Sequence, residues 1–137
     1  MLSNEQLDAM TDAFIQAALC ADAPEGARPR PATEARTNAR LFCAAFTLQA
    51  GGALDEFAKE YGIGQAGHSL YLTCAGRGAG FGDFGEDGAT LLDYTREDPA
   101  CGEGFRSGFQ TEFYLGWFYF HLRDYPVFRR ARMAKAA

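Results

Sequence analysis

A glycine-rich segment constrains the fold of this chain more than any other feature of its sequence. Six of the sixteen glycines lie within residues 76–88, directly after an alternating run at Ser69–Cys74. Glycines collect where the backbone turns with positive φ or approaches another group closely. The alternation predicts a half-buried strand, and a turn at residues 75–78 returns the chain through residues 79–84. We therefore expect a β-hairpin here, followed by a small acidic loop.

The residues before this segment predict three helices. Ser3 and Gln6 form a capping box, so the first helix should begin at once and extend to about residue 20. Thr33 is expected to cap a second helix, which a pair of glycines ends. A short third helix is predicted over residues 53–61. The segment between the first two helices is rich in proline and is expected to be an exposed connection.

The last third of the chain is dense in aromatic residues. Ten of the nineteen aromatic residues lie between Phe105 and Phe128. Several recur every four residues, which favours a helix over residues 104–123, and a strand over Phe113–Leu122 is the alternative. Asp124, followed by Tyr125 and Pro126, predicts the cap of a final basic helix with the proline in its first turn. The pattern indicates one α+β domain over residues 1–137, with N-terminal helices, a small antiparallel sheet and an aromatic-rich helical C-terminal segment.

Composition limits the classes of function. The chain has 137 residues, a net charge of −5, and no apolar run long enough to span a bilayer. Its N-terminus lacks the basic start and apolar centre of a signal peptide, so we expect a cytoplasmic protein that does not contact membranes. The four cysteines have no metal-site spacing and are expected to be reduced thiols. No cofactor or metal is predicted.

The candidate chemical motifs are weak. Residues 80–85 match the spacing of a nucleotide-binding glycine fingerprint, but Glu86 and Asp87 follow at once and would repel a phosphate. His68 and His121 are the only histidines, which limits acid–base catalysis. His68 and Ser69 are neighbours in the predicted strand and would point to opposite faces. The sequence therefore identifies no reaction.

The stretch AGHSLYLTCAGRGAGFGDFG at residues 66–85 resembles a motif of short, mostly uncharacterised proteins encoded by bacteriophages and other mobile elements. That motif is approximately AGHDFWLTRNGHGAGFWDRG, and the resemblance extends more loosely over residues 5–85. Where the motif has an acid after its first histidine, a second histidine, a tryptophan and an arginine, this chain has Ser69, Arg77, Gly82 and Phe84. Turn and packing residues are kept where reactive groups are lost, so the resemblance implies a binding protein rather than an enzyme. The matching positions are Ala66, Gly67, His68, Leu72, Thr73, Gly76, Gly78, Ala79, Gly80, Phe81 and Asp83.

The resemblance implies a small mobile-element protein that binds a host or element protein, such as a CRISPR or restriction complex, and inhibits it. Acidic surface on a glycine-rich loop suits a basic groove of such a partner. The candidate contact residues are Arg77, Phe81, Asp83, Phe84, Glu86 and Asp87.

Three alternatives stay open. The basic tail is typical of a nucleic-acid-binding accessory protein, with Arg129, Arg130, Arg132 and Lys135 as phosphate contacts. A hydrolytic enzyme centred on His68 is a second. The clustered aromatic residues would also permit a homodimer, because one small domain has limited core volume in which to bury them.

Overall fold

The chain is described by a computed structural model that covers residues 2–136, with side chains to residue 134. This range contains six α-helices, a 3₁₀ helix and a three-stranded sheet, which confirms the α+β class with N-terminal helices. The helices are α1 (Asn4–Asp22), α2 (Thr33–Ala50), α3 (Gly52–Tyr61), α4 (Ile63–Ala75), α5 (Glu86–Tyr94) and α6 (Pro126–Ala136), and the 3₁₀ helix covers Gly80–Phe84. The strands are β1 (Arg30–Pro31), β2 (Phe109–Tyr114) and β3 (Trp117–Leu122).

The three N-terminal helices follow the sequence closely. The capping box of α1 is confirmed, because the Ser3 hydroxyl accepts from the Gln6 N–H and the Ser3 N–H donates to Gln6 Oε1. The expected cap of α2 is wrong by one residue: Ala32 is the cap and Thr33 is the first helical residue. Gly51 ends α2, and Gly62 ends α3. Local signals therefore set these boundaries.

The hairpin predicted over residues 69–84 is wrong. Residues 63–75 form α4, which ends at Gly76 in the left-handed conformation, and the 3₁₀ helix follows. Helix α4 packs against α1, α3 and the 3₁₀ helix, so its buried positions are not confined to every second residue. Because α4 is buried on several sides, apolar side chains also occur at every second position, and this resembles the alternation of a strand. The buried residues of α4 are Ala66, Gly67, Ser69, Leu70, Tyr71, Thr73 and Cys74.

The helix predicted over residues 104–123 is also wrong, and the alternative strand is confirmed in large part. Strands β2 and β3 pair antiparallel from Phe109 with Leu122 to Tyr114 with Trp117. Strand β1 pairs parallel to β3, giving the order β1-β3-β2. A four-residue spacing keeps side chains on one face of a strand as well as of a helix, so the aromatic spacing fitted both.

The sheet packs its inner face on α1 and α2. The rings of Phe14 and Phe120 lie 5.4 Å apart, and those of Phe42 and Phe109 lie 5.2 Å apart. Most of these contacts are edge-to-face, the geometry that aromatic pairs prefer. The Asn38 amide also donates to the Phe120 carbonyl at 2.8 Å, which ties α2 to β3. The core therefore runs without a break from the helices to the sheet.

The final helix begins with Pro126 in its first turn, as predicted. The cap, however, is Tyr125, whose carbonyl accepts from the Arg129 N–H at 3.2 Å. Asp124 instead pairs with the Arg129 guanidinium at 3.0 Å. Among the described residues, no helix has the length and apolar character needed to cross a membrane.

Candidate functional site

The structure separates the six residues predicted to contact a partner. Phe81 is fully buried against Phe46 and Phe57, so the prediction of a contact role for it is wrong. Phe84 is half-buried and packs its ring on those of Phe57 and Tyr61. Arg77 lies away from these two residues and forms an ion pair with Asp22 at the end of α1. Hydrophobic side chains in this segment serve the core because α3, α4 and α5 all converge on it.

The other three predicted contacts share one surface. Asp83, Glu86 and Asp87 are exposed around the start of α5, and we call them the acidic patch. Asp87 accepts a hydrogen bond from the Tyr61 hydroxyl, and this bond raises the pKa of Tyr61. Glu56 and Glu60 line the same shallow cleft as Asp87. An acidic surface is therefore present, although a helix and not a hairpin loop carries it.

The glycines of this segment permit close packing. Gly80 has a φ of +53°, and a Cβ there would lie 2.1 Å from the Thr73 hydroxyl oxygen. The same hydroxyl accepts from the Phe81 N–H at 3.0 Å, which fixes the 3₁₀ helix on α4. These contacts account for the glycine at position 80, so its presence does not indicate a ligand site.

Acidic side chains of the same chain lie beside two of the basic residues that were predicted to bind nucleic acid. Arg129 pairs with Asp124, as described above. Arg130 lines a cleft of about 460 Å³ together with four acids. Arg132 shares a small pocket with Arg40 between α2 and α6, and the side chain of Lys135 lies outside the described residues. The acids of the cleft are Asp93, Glu97, Asp98 and Glu103.

His68 is exposed on α4 and does not form a catalytic pair with its neighbour. Ser69 is buried, and its hydroxyl bonds to the Gln65 amide at 2.8 Å. Successive residues of a helix point about 100° apart, so the His68 ring is not directed at this hydroxyl. The geometry supplies no activated nucleophile at this position.

The outward side of the β2–β3 hairpin is the surface that the sequence analysis missed. Alternation places six side chains there, which we call the outer face: Gln110, Glu112, Tyr114, Trp117, Tyr119 and His121. Tyr114 is 60% exposed and Trp117 is 44% exposed. His121 Nε2 lies 3.0 Å from Glu112 Oε1, and its ring stacks parallel to that of Tyr119. None of the six is lysine or arginine.

One sequence signal does distinguish the two faces of this hairpin. In β3, positions 118, 120 and 122 hold only phenylalanine and leucine, whereas positions 117, 119 and 121 hold Trp, Tyr and His. Rings with a polar atom alternate with purely apolar side chains, which is typical of a strand between core and solvent. This pattern has a period of two, and the four-residue spacing obscured it.

The tip of the hairpin exposes an apolar side chain on an unfavourable backbone. Leu115 and Gly116 form the two-residue turn, with φ of 50° and 83°. Such turns need positive φ at both positions and favour Asn-Gly, because other side chains clash with the backbone there. Leu115 is also 79% exposed, so it gains little packing in return. We call Tyr114, Leu115 and Trp117 the hairpin tip.

A separate cleft of about 410 Å³ lies between α1, α4 and β2. Asp22, at the end of α1, accepts from the buried Tyr71 hydroxyl and lies 2.6 Å from Arg77 Nε. Burial, with the Asp22 carboxylate as the next cause, raises the pKa of Tyr71. Arg106 also lines the cleft, held by a bond of 3.0 Å from its Nε to the Thr95 hydroxyl. We call this the Asp22 cleft.

Comparison with known proteins adds no relatives. No protein family matches the chain, and no curated protein or solved structure shows significant similarity to it. Within residues 2–136, no group of three or more His, Cys, Asp or Glu side chains is arranged to hold a metal ion. Function must therefore be argued from the surfaces themselves.

Proposed function

We propose that this chain is a protein-binding module whose contact surface is the hairpin tip together with the outer face. The observation that supports this is Leu115, which is exposed and has a backbone conformation that disfavours its own side chain. An apolar residue at such a position is costly for the isolated domain, and contact with a partner would offset that cost. Tyrosine and tryptophan beside it are residue types that dominate binding energy at protein interfaces.

The chemistry of the outer face favours a protein over a nucleic acid. Binding of single strands requires a positively charged groove beside the aromatic rings. Glu112, near the middle of the face, is the only carboxylate among the six residues, and none of the six is lysine or arginine. The partner we propose has an apolar groove for Leu115 and Trp117 and a hydrogen-bond donor opposite Glu112.

The class of partner comes from the sequence resemblance. A mobile-element protein that inhibits a host defence complex, such as a CRISPR or restriction complex, is the proposed role. For such a partner the acidic patch is a second contact candidate, because a groove that binds nucleic acid is basic. Exposure of Asp83 and Glu86 and their common location with Asp87 support this second surface.

The test is capture of partners from a host-cell lysate with tagged protein, treated with nuclease, followed by binding measurements with the purified partner. Leu115→Asn should weaken binding about tenfold or more, because it removes the apolar tip while suiting the turn. Leu48→Asn is the matched control, since Leu48 is 43% exposed on α2, away from the hairpin. Equal binding by Leu115→Asn and the wild type would contradict the proposed surface.

Two further variants separate the alternatives. Charge reversal of Asp83, Glu86 and Asp87 should abolish binding without unfolding only if the acidic patch is the contact. The accessory-protein alternative predicts that nuclease treatment removes the captured partners. It also predicts that neutralising Arg129, Arg130 and Arg132 abolishes nucleic-acid binding. Absence of any nuclease-resistant partner would count against protein binding.

A further inference from the structure

Strand β2 is an edge of the sheet, because in the order β1-β3-β2 it pairs only with β3. The Arg123 N–H donates to the opposite Gly108 carbonyl at 2.9 Å, so the even-numbered residues of this segment direct their backbone groups at β3. On the far side of β3, the Ala32 N–H donates to the Phe118 carbonyl at 2.9 Å. Phe118 lies opposite Phe113, so this bond agrees with the same alternation. The odd-numbered residues of β2 therefore direct their backbone N–H and C=O groups away from the sheet.

The outward backbone groups of β2 belong to Phe109, Thr111 and Phe113. Within the described residues, none of these N–H or C=O groups bonds to another segment of the backbone. The Asp22 cleft runs along this edge, since its lining includes Gln110 from the outer face and Thr111 from the inner face. The edge is therefore open to another strand.

The sequence of β2 does not protect this edge. Natural proteins discourage the pairing of edge strands with lysine, proline or a bulge. Strand β2 has the sequence FQTEFY, with neither lysine nor proline. Its pairing with β3 is unbroken from Phe109 to Tyr114, so it contains no bulge. A regular edge of six residues without these features is suited to pair with a further strand.

We propose that β2 pairs antiparallel with β2 of a second copy of this chain, about a two-fold axis at Thr111. The pairing would join the two three-stranded sheets into one sheet, with both outer faces on the same side. A two-fold contact of this kind is self-complementary, because each copy supplies the same strand. The proposal concerns the edge of β2, so it depends on neither the hairpin tip nor a protein partner of another kind.

The side chains of β2 select this register. With the axis at Thr111, Phe109 lies opposite Phe113 of the second copy, and every outward backbone group has a partner. On the outer face, the Gln110 amide then lies opposite the Glu112 carboxylate of the second copy and can donate to it. An axis at Glu112 would place two carboxylates opposite each other, which is destabilising. An axis at Gln110 would leave Phe113 beyond the end of the opposite strand.

Equilibrium sedimentation of the full chain over a range of concentrations tests the proposal. We expect a monomer–dimer equilibrium with a dissociation constant of about 100 μM or tighter. A monomer at every concentration up to about 1 mM would overturn the proposal.

One pair of variants tests the backbone contact. Thr111→Pro removes an N–H that β3 does not use, so the domain should fold while dimerisation weakens by about a hundredfold or more. Thr111→Val is the matched control, because it keeps the N–H and loses the same hydroxyl, and its affinity should stay within about threefold of the wild type. Wild-type dimerisation by a folded Thr111→Pro variant would overturn the proposal.

A second pair tests the register and carries the test if Thr111→Pro fails to fold. Gln110→Glu and Gln110→Lys change the same exposed side chain, but they place an acid or a base opposite Glu112 of the second copy. Gln110→Glu should weaken dimerisation by about fivefold or more, and Gln110→Lys should strengthen it to a similar extent. Equal affinities of these two variants would overturn the proposed pairing.

Amide hydrogen exchange at Thr111 separates this edge from the other surfaces. Exchange of this N–H should slow as the concentration of the chain rises, because pairing protects it. Dimerisation with unchanged exchange at Thr111, or dimerisation that Leu115→Asn abolishes, would assign self-association to another surface and overturn the proposal.

Discussion

The glycine-rich segment at residues 76–88 and the β2–β3 hairpin distribute their aromatic rings differently. Phe81 of the first is fully buried, and Phe84 packs on α3. The hairpin divides its aromatic residues between an inner face on the core and an outer face in solvent. The difference shows that glycines here bring elements close enough to bury rings, whereas a strand exposes every second side chain whatever its type.

The largest expected effect is the difference in stability between losing a buried ring and losing an exposed ring. Phe81→Ala should lower the free energy of unfolding by about 3–5 kcal/mol, because it leaves a cavity beneath α4. Trp117→Ala should lower it by about 1 kcal/mol or less, because Trp117 is 44% exposed on an outer strand face. Urea unfolding measures both values. Similar losses in the two variants would mean that the hairpin aromatics are as buried as Phe81.

A second test concerns glycine as a packing residue. A Cβ at Gly67 would lie 2.2 Å from the Met10 carbonyl oxygen, so Gly67→Ala should separate α4 from α1 and cost about 3 kcal/mol. Gly64, one turn earlier in α4, has nothing within 4 Å of its Cβ position. Gly64→Ala should therefore raise stability by about 0.5–1 kcal/mol. Urea unfolding of the two variants measures both effects. Equal changes in the free energy of unfolding would contradict the close contact between α4 and α1.

A third test uses pH to probe the helical core. Burial raises the pKa of Cys43 to about 12, from an ordinary value of 9.0, and it raises the pKa of Cys74 as well. The unfolded chain loses these protons above pH 9.0 while the folded chain keeps them, so stability falls as the pH rises from there towards 12. Each buried thiol contributes about 1.4 kcal/mol per pH unit in this range.

Urea unfolding as a function of pH measures this slope. Cys43→Ala and Cys74→Ala should each reduce the slope by the contribution of one thiol. A free energy of unfolding that stays constant well above pH 9.0 would contradict burial of the two thiols.

The smallest expected effect is at the hairpin tip. Leu115→Asn should raise the free energy of unfolding by about 1 kcal/mol, because asparagine tolerates the left-handed region and suits the two-residue turn. Leu48→Asn on α2 should not raise it. A thermal unfolding measurement of both variants distinguishes relief of backbone strain from a general effect of removing an exposed leucine. A loss of stability in Leu115→Asn would show that the leucine packs within the domain.

Much of the helical part could be predicted from local sequence. The capping box at Ser3 and Gln6, and the glycines at 51 and 62, act within one turn of the residues they affect, so no distant contact is needed. The segment Ser69–Cys74 could not be assigned this way. Its helix depends on burial by three other elements, and that burial also produced the alternation mistaken for a strand.

The candidate site was less predictable than the fold. The acidic patch could be found because Asp83, Glu86 and Asp87 are neighbours in sequence. The outer face could not be found, since its residues come together only when β2 and β3 pair. The Asp22 cleft joins groups as far apart as Asp22 and Arg106, and no sequence spacing indicates such a contact.

The sequence alone determined the N-terminal helices and the acidic surface, because capping, chain breaking and charge depend on near neighbours. Only the tertiary structure decided that the glycine-rich segment packs closely against the neighbouring helices, and that the aromatic segment is a sheet with an exposed face. A spacing of four residues is compatible with a helix and with a strand, and the choice depends on what lies on either side. Pairing with β1 and packing on α1 and α2 favoured the strand.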